Sequence, residues 1–69
     1  MEYSAQYGPR GGVRFEISNP PAPGTKLVKT DGSVVTFDGL GMAGMLECTD
    51  DAGSQSLLFP HQIARTLSP

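Results

Sequence analysis

Lys26-Leu27-Val28-Lys29-Thr30-Asp31-Gly32-Ser33-Val34-Val35-Thr36-Phe37-Asp38 is the stretch on which the fold class turns. Two apolar and β-branched runs flank Asp31-Gly32, a connector that favours a type I′ hairpin turn because both of its residues accept positive φ. Counting outward from a two-residue turn sets Val28 opposite Val35 and Lys26 opposite Phe37. Val28, Val35 and Phe37 are then expected to share the inward face.

Upstream, Val13-Arg14-Phe15-Glu16-Ile17-Ser18 alternates apolar and polar residues, the period-two signature of a half-buried strand. Asn19-Pro20-Pro21-Ala22-Pro23-Gly24 cannot extend a sheet, since its prolines remove ladder donors, and it reads as a stiff connector. Residues 1–12 are polar, with Gly8-Pro9 and Gly11-Gly12 as breakers. They read as a flexible N-terminal arm or a short leading strand around Tyr3 to Tyr7.

Downstream, Gly39, Gly41 and Gly44 fall where a strand has to bend, and Met45 to Thr49 resumes a strand pattern. Asp50-Asp51-Ala52-Gly53 is a turn, Ser54 to Phe59 a strand ending at Pro60, and Pro60-His61-Gln62 a single 3₁₀ turn before a last strand over Ile63 to Leu67. No stretch is long and periodic enough for a helix. Short strands in a meander with no covering helix bury one face most economically as a bent sheet closing on itself. The expectation is therefore all-β, a small five-stranded barrel occupying residues 13–69 as one domain.

The chain has 69 residues, nine of them Gly and six Pro, and a domain this small is short of core. Eighteen apolar residues between Val13 and Leu67 are core candidates, Leu40, Met42, Leu57 and Phe59 among them. Disulfides, a metal or oligomerisation usually supplement such a core. Cys48 is the only cysteine and His61 the only histidine, so neither an internal disulfide nor a structural zinc site is expected. Oligomerisation is left as the supplement, and a homo-oligomer is the expectation.

A net charge of −2 disfavours nucleic acid as partner, because phosphate binding runs on a basic surplus. The longest unbroken run of large apolar residues is Leu57-Leu58-Phe59, so neither a leader peptide nor a membrane span is expected. The free thiol fits a cytoplasmic protein of bacterial or phage origin.

The segment Leu58-Phe59-Pro60-His61-Gln62-Ile63-Ala64-Arg65-Thr66-Leu67 resembles the closing segment of the SH3-like and Sm-like small barrels, where a strand, one 3₁₀ turn and a short last strand follow in sequence. The resemblance covers residues 26–68. The interval from Asp31-Gly32 to His61 is similar to the Asn-Gly to Lys-His interval of the bacterial Sm-like RNA chaperones of the Hfq type. It implies an SH3/Sm-like barrel, and a ring-forming single-stranded RNA binder with His61 near the pore. Pro60 stands where those chaperones carry a basic residue. Leu57-Leu58-Phe59-Pro60 is also similar in shape to the site strand of the plasmid-encoded dihydrofolate reductases. Here leucine and phenylalanine occupy the places of that family's polar groups.

Gly39-Leu40-Gly41-Met42-Ala43-Gly44 matches G-x-G-x-x-G, but no acid follows the next strand and too little chain is left for a nucleotide-binding fold. Bending glycines explain it better, and no cofactor is expected. His61 is the one candidate general acid or base, with Cys48, Ser54, Ser56 and Asp50 as conceivable companions. Cys48 is expected to be a small buried hydrophobe, and Asp50-Asp51 turn residues rather than a cation site. The sequence thus points to a small non-enzymatic module that self-associates and binds another protein, as many short phage or mobile-element inhibitors of host proteins do. Its contact candidates are Tyr3, Tyr7, Arg10, Arg14 and His61, because aromatic and arginine side chains dominate interfaces. The alternative is the Sm-like nucleic-acid ring.

Overall fold

A computed structural model describes residues 1–67; the last two residues of the 13–69 span lie outside it. The chain is all-β. Its strands are β1 (Glu2–Tyr7), β2 (Val13–Ser18), β3 (Lys26–Lys29), β4 (Val34–Leu40), β5 (Leu46–Thr49), β6 (Gln55–Leu58) and β7 (Ile63–Thr66). Two single 3₁₀ turns interrupt them, η1 (Met42–Gly44) and η2 (Pro60–Gln62). β3 to β7 form one antiparallel sheet in the order β6-β5-β4-β3-β7, and β1 and β2 form a separate hairpin.

The order of the larger sheet forces it to roll. β6 and β7 lie at opposite edges, which in a flat five-stranded sheet are about 19 Å apart at ~4.8 Å per strand. Only residues 59–62 connect them, and three of these are wound into η2. Such a link spans no more than about 14 Å. The inward faces therefore curl around Leu27, Val35, Phe37, Leu46, Cys48 and Leu58, with Ile17 of β2 and Ile63 of β7 packed against them. Closure itself is not seen: among the described residues no ladder joins β6 to β7, and β2 pairs with β1 instead of completing the sheet.

The β3–β4 hairpin departs from the expected register. Lys29 N–H donates to the Ser33 carbonyl at 2.8 Å and Gly32 N–H to the Lys29 carbonyl at 2.9 Å, so the loop holds three residues, not two. Gly32, at φ 90°, occupies the left-handed position that ends a type I turn in such loops. One extra residue slides the pairing to Leu27↔Val35, Val28↔Val34 and Lys26↔Thr36. Because a strand alternates faces, the slip exchanges inside for outside on β3. Leu27 is fully buried while Val28 is half-buried. Asp31 braces the turn: Ser33 Oγ and N–H donate to its Oδ1 at 2.7 and 2.9 Å. Those two bonds, with weaker help from Lys29, hold its carboxyl below the ordinary value.

The other two tight hairpins repeat this loop. Gly11 donates to the Gly8 carbonyl, and Gly53 to the Asp50 carbonyl. Residues 1–12, open between arm and strand in sequence, hold β1, which pairs without a register break from Glu2↔Ser18 to Tyr7↔Val13. The Asn19–Gly24 connector is tied to β4 through Gly24 N–H on the Phe37 carbonyl at 2.7 Å. Four core candidates prove exposed: Leu40, Met42, Leu57 and Phe59. The roll of the sheet leaves no second layer to cover them.

Candidate protein-interaction surface

Phe15, on the inner face of β2, is buried and holds the centre of an aromatic row. Tyr3 of β1, one strand over and two pairs along on the same face, meets it edge-on at 6.2 Å between ring centroids, with an interplanar angle of 68°. Phe59 meets Phe15 from the other side at 5.7 Å and 64°. His61 stacks on Phe59 at 5.4 Å, nearly parallel at 10°. Edge and offset contacts of this kind match negative ring faces to positive ring edges and add roughly 0.5–1.5 kcal/mol each beyond area burial. The row joins the hairpin to the link between β6 and β7, two parts of the chain that share no ladder.

Local chemistry fixes the far end of the row. Pro60, buried, starts η2 with its φ already suited to the turn and no N–H to satisfy. Gln62 N–H donates to the Phe59 carbonyl at 3.0 Å, and Phe59 N–H to Gln62 Oε1 at 2.8 Å. Thr30 N–H donates to the Gln62 carbonyl at 2.9 Å, anchoring η2 to the β3–β4 turn. Phe59 and His61 are thus carried on a braced turn. Their rings face outward all the same: Tyr3 is 43% exposed, Phe59 38%, and His61 is exposed.

The centre of the row, Phe15, rests on glycine. η1 lies against β2 so closely that a side-chain carbon built on Gly44 would fall 1.9 Å from the Phe15 carbonyl oxygen. Gly44 also has φ 76°, and together these leave room for no other residue. The G-x-G-x-x-G run therefore passes from β4 through one 3₁₀ turn into the antiparallel β5, and its glycines set bends and a close packing contact.

Of the five residues singled out in the sequence, Tyr3 and His61 belong to the row, linked through Phe15 and Phe59. Tyr7, Arg10 and Arg14 sit at the other end of the hairpin, Tyr7 being about 14 Å along β1 from Tyr3 at ~3.4 Å per residue. Tyr7 is 79% exposed. Arg10 and Arg14 line an open recess of about 340 Å³ with Gln6, Pro9, Val13 and Ala43. Sequence reasoning placed Phe15 and Phe59 in the core and so missed them as site residues. The signal was present in Phe59-Pro60-His61, where a proline-started turn sets two rings two positions apart.

The conceivable companions Cys48, Asp50, Ser54 and Ser56 fall together on the β5–β6 hairpin, and among the described residues no hydrogen bond joins any of them to His61. Cys48 is fully buried opposite Ser56, Asp50 Oδ1 accepts the N–H groups of Ala52 and Ser54 at 2.9 Å each, and His61 is stacked on Phe59. Among the described residues no three His, Cys, Asp or Glu side chains group in a way that could hold a metal ion, and no helix is long and apolar enough to cross a membrane.

Burial pushes the Cys48 thiol up to about 11, the Asp38 carboxylate adding to the effect. The unfolded chain releases that proton near 9.0, so the share of stability linked to this thiol is fully present below pH 9 and is lost as pH rises toward 11. Urea unfolding across this window, compared with Cys48→Ala to subtract tyrosine ionisation, is expected to show a loss present only in the parent chain. Equal pH profiles would exclude it.

Comparison with protein families, with characterised proteins and with solved structures finds no match to this chain.

Proposed function

We propose that the chain is a small non-enzymatic protein-interaction module whose contact surface is the exposed rim of the aromatic row, Tyr3, Phe59 and His61 around the buried Phe15. The observation that carries this reading is Phe59: a phenylalanine on a braced turn, 38% exposed, in a protein with few large apolar side chains to spare. Rigid aromatic rings lose little entropy on binding and dominate interface energetics. The sheet order, with the first and last strands of residues 26–66 paired and a 3₁₀ turn between β6 and β7, supports an SH3/Sm-like barrel open on one side. The hairpin lies over its inner residues through Ile17.

The test is capture from a lysate of the encoding cell, with the immobilised parent chain against Phe59→Ala and Gln55→Ala. One protein is expected to be enriched by the parent and by Gln55→Ala, and at least about tenfold less by Phe59→Ala, the loss typical of an interface anchor. Equal enrichment by all three would reject the surface. Single-stranded RNA retained tightly and released steeply by salt would replace the reading with the nucleic-acid one.

A further inference from the structure

We propose that β1 is a dimerisation strand: two copies pair antiparallel through their β1 edges, with Ala5 against Ala5, to make a continuous four-stranded sheet β2-β1-β1-β2. This goes beyond the surface just described: it uses the backbone edge of β1 and shares only Tyr3 with the rim, leaving Phe59 and His61 untouched. The two readings can fail separately.

The first support is the edge itself. β2 is flanked by η1 at Phe15, so the hairpin's open edge is β1, which pairs with nothing but β2 among the described residues. Natural sheets blunt such edges with lysine, proline, a bulge or shortness. β1 has none of these: it is six residues long, carries neither Lys nor Pro, pairs with β2 without a bulge and is exposed throughout. The other two edge strands, β6 and β7, have four residues each.

The second support is the order of residues. Tyr3-Ser4-Ala5-Gln6-Tyr7 reads the same in kind from either end. A twofold axis at Ala5 sets each Tyr3 beside Tyr7 of the second copy on the aromatic face, and each Ser4 beside Gln6 of the second copy on the other. Directly opposed pairs share a face, and aromatic pairs across strands are favourable. The smallest side chain of the strand falls on the axis, where two copies crowd most.

Charge gives the third. The open end of the hairpin carries Glu2 and Glu16, and the turn end Arg10 and Arg14. An antiparallel, isologous pairing brings the acidic end of each copy to the basic end of the other.

The test uses the full chain in sedimentation equilibrium over a dilution series. The parent chain is expected to pass from monomer to dimer mass. Ser4→Lys with Gln6→Lys places like charges directly opposite twice, and is expected to weaken the dimer about tenfold or more. Ser4→Lys with Gln6→Glu makes both pairs opposite in sign and is expected to keep it. Within the hairpin Gln6 lies opposite Arg14 and Ser4 opposite Glu16, so circular dichroism and a thermal melt first establish that both double variants keep the parent fold at the concentrations used. Ala5→Cys supplies a second readout: on the axis its thiols lie within disulfide range, so mild oxidation is expected to give a covalent dimer, whereas Ser18→Cys gives none. A parent chain monomeric at every concentration, equal dissociation of the two double variants, or no faster cross-linking by Ala5→Cys than by Ser18→Cys would each overturn the proposal.

Discussion

Replacing Gly44 with alanine is expected to lower the unfolding free energy by at least about 3 kcal/mol, measured as the shift in urea midpoint at unchanged slope. Two costs combine. Gly44 holds φ 76°, where a β-carbon costs roughly 1–2 kcal/mol. The new carbon would also fall 1.9 Å from the Phe15 carbonyl oxygen, a backbone atom that cannot rotate away. Relief comes only from withdrawing η1 from β2, and that withdrawal loosens Phe15.

Gly53 supplies the comparison. Its φ is 84°, but nothing lies within 4 Å of a carbon built there, so Gly53→Ala is expected to cost only the conformational share, about 1–2 kcal/mol. A 69-residue domain has about 3–10 kcal/mol of stability in all, and the Gly44 variant would lose a large part of it. Equal losses at the two glycines would show that the contact between η1 and β2 adjusts freely, and would remove it as the support of the hairpin.

The elements that were legible in the sequence are those in which one residue type has one physical use. Asp31-Gly32 and Asp50 to Gly53 mark turns because glycine accepts the positive φ that closes each loop and the carboxylates of Asp31 and Asp50 accept the turn's N–H groups, and Pro60 marks η2 because it starts a turn and cannot continue a ladder. Alternation placed β2. The register of the first hairpin was not legible, because a turn ending in glycine fits both a two-residue loop and a three-residue loop. The choice is made by whether Leu27 or Val28 fills the core better, which is a property of the assembled sheet. Leu27 wins with complete burial.

For the same reason the pairing of β2 could not be read locally. Its alternating pattern requires an apolar surface to lie on, and both a closed barrel and a covering hairpin provide one. β1 offers the decisive alternative through Tyr3, Ala5 and Tyr7, a weak period-two signal because tyrosine suits an exposed strand as well as a buried one. Of the candidate site, Tyr3 and His61 were legible as an aromatic and an imidazole outside the core pattern. Phe15 and Phe59 were not, because only the rolled sheet brings residue 59 beside residue 15.

Phe15→Ala is expected to have the second large effect, about 3–5 kcal/mol by the usual cost of truncating a buried phenylalanine, and the loss should be uneven over the molecule. β1 is exposed at all six positions and adds only the edge contact of Tyr3 on Phe15, so the hairpin stays on the sheet through Phe15, Ile17 and the η1 contact. Two-stranded hairpins alone are marginal in water. Removing the Phe15 ring deletes the partner of both Tyr3 and Phe59 at once, so the hairpin loses its main anchor while the six-residue core cluster of the larger sheet keeps every member.

Native-state hydrogen exchange distinguishes this from a uniform loss. Amides of β1 and β2 are expected to lose protection first and furthest in Phe15→Ala, while those paired between β3, β4 and β5 retain most of theirs. Tyr3→Ala, which removes one edge contact and leaves Phe15 in place, is expected to show the same pattern at about 1 kcal/mol. If protection instead falls equally across both sheets, hairpin and sheet unfold as one cooperative unit. The aromatic row would then be part of a single core rather than a joint between two pieces.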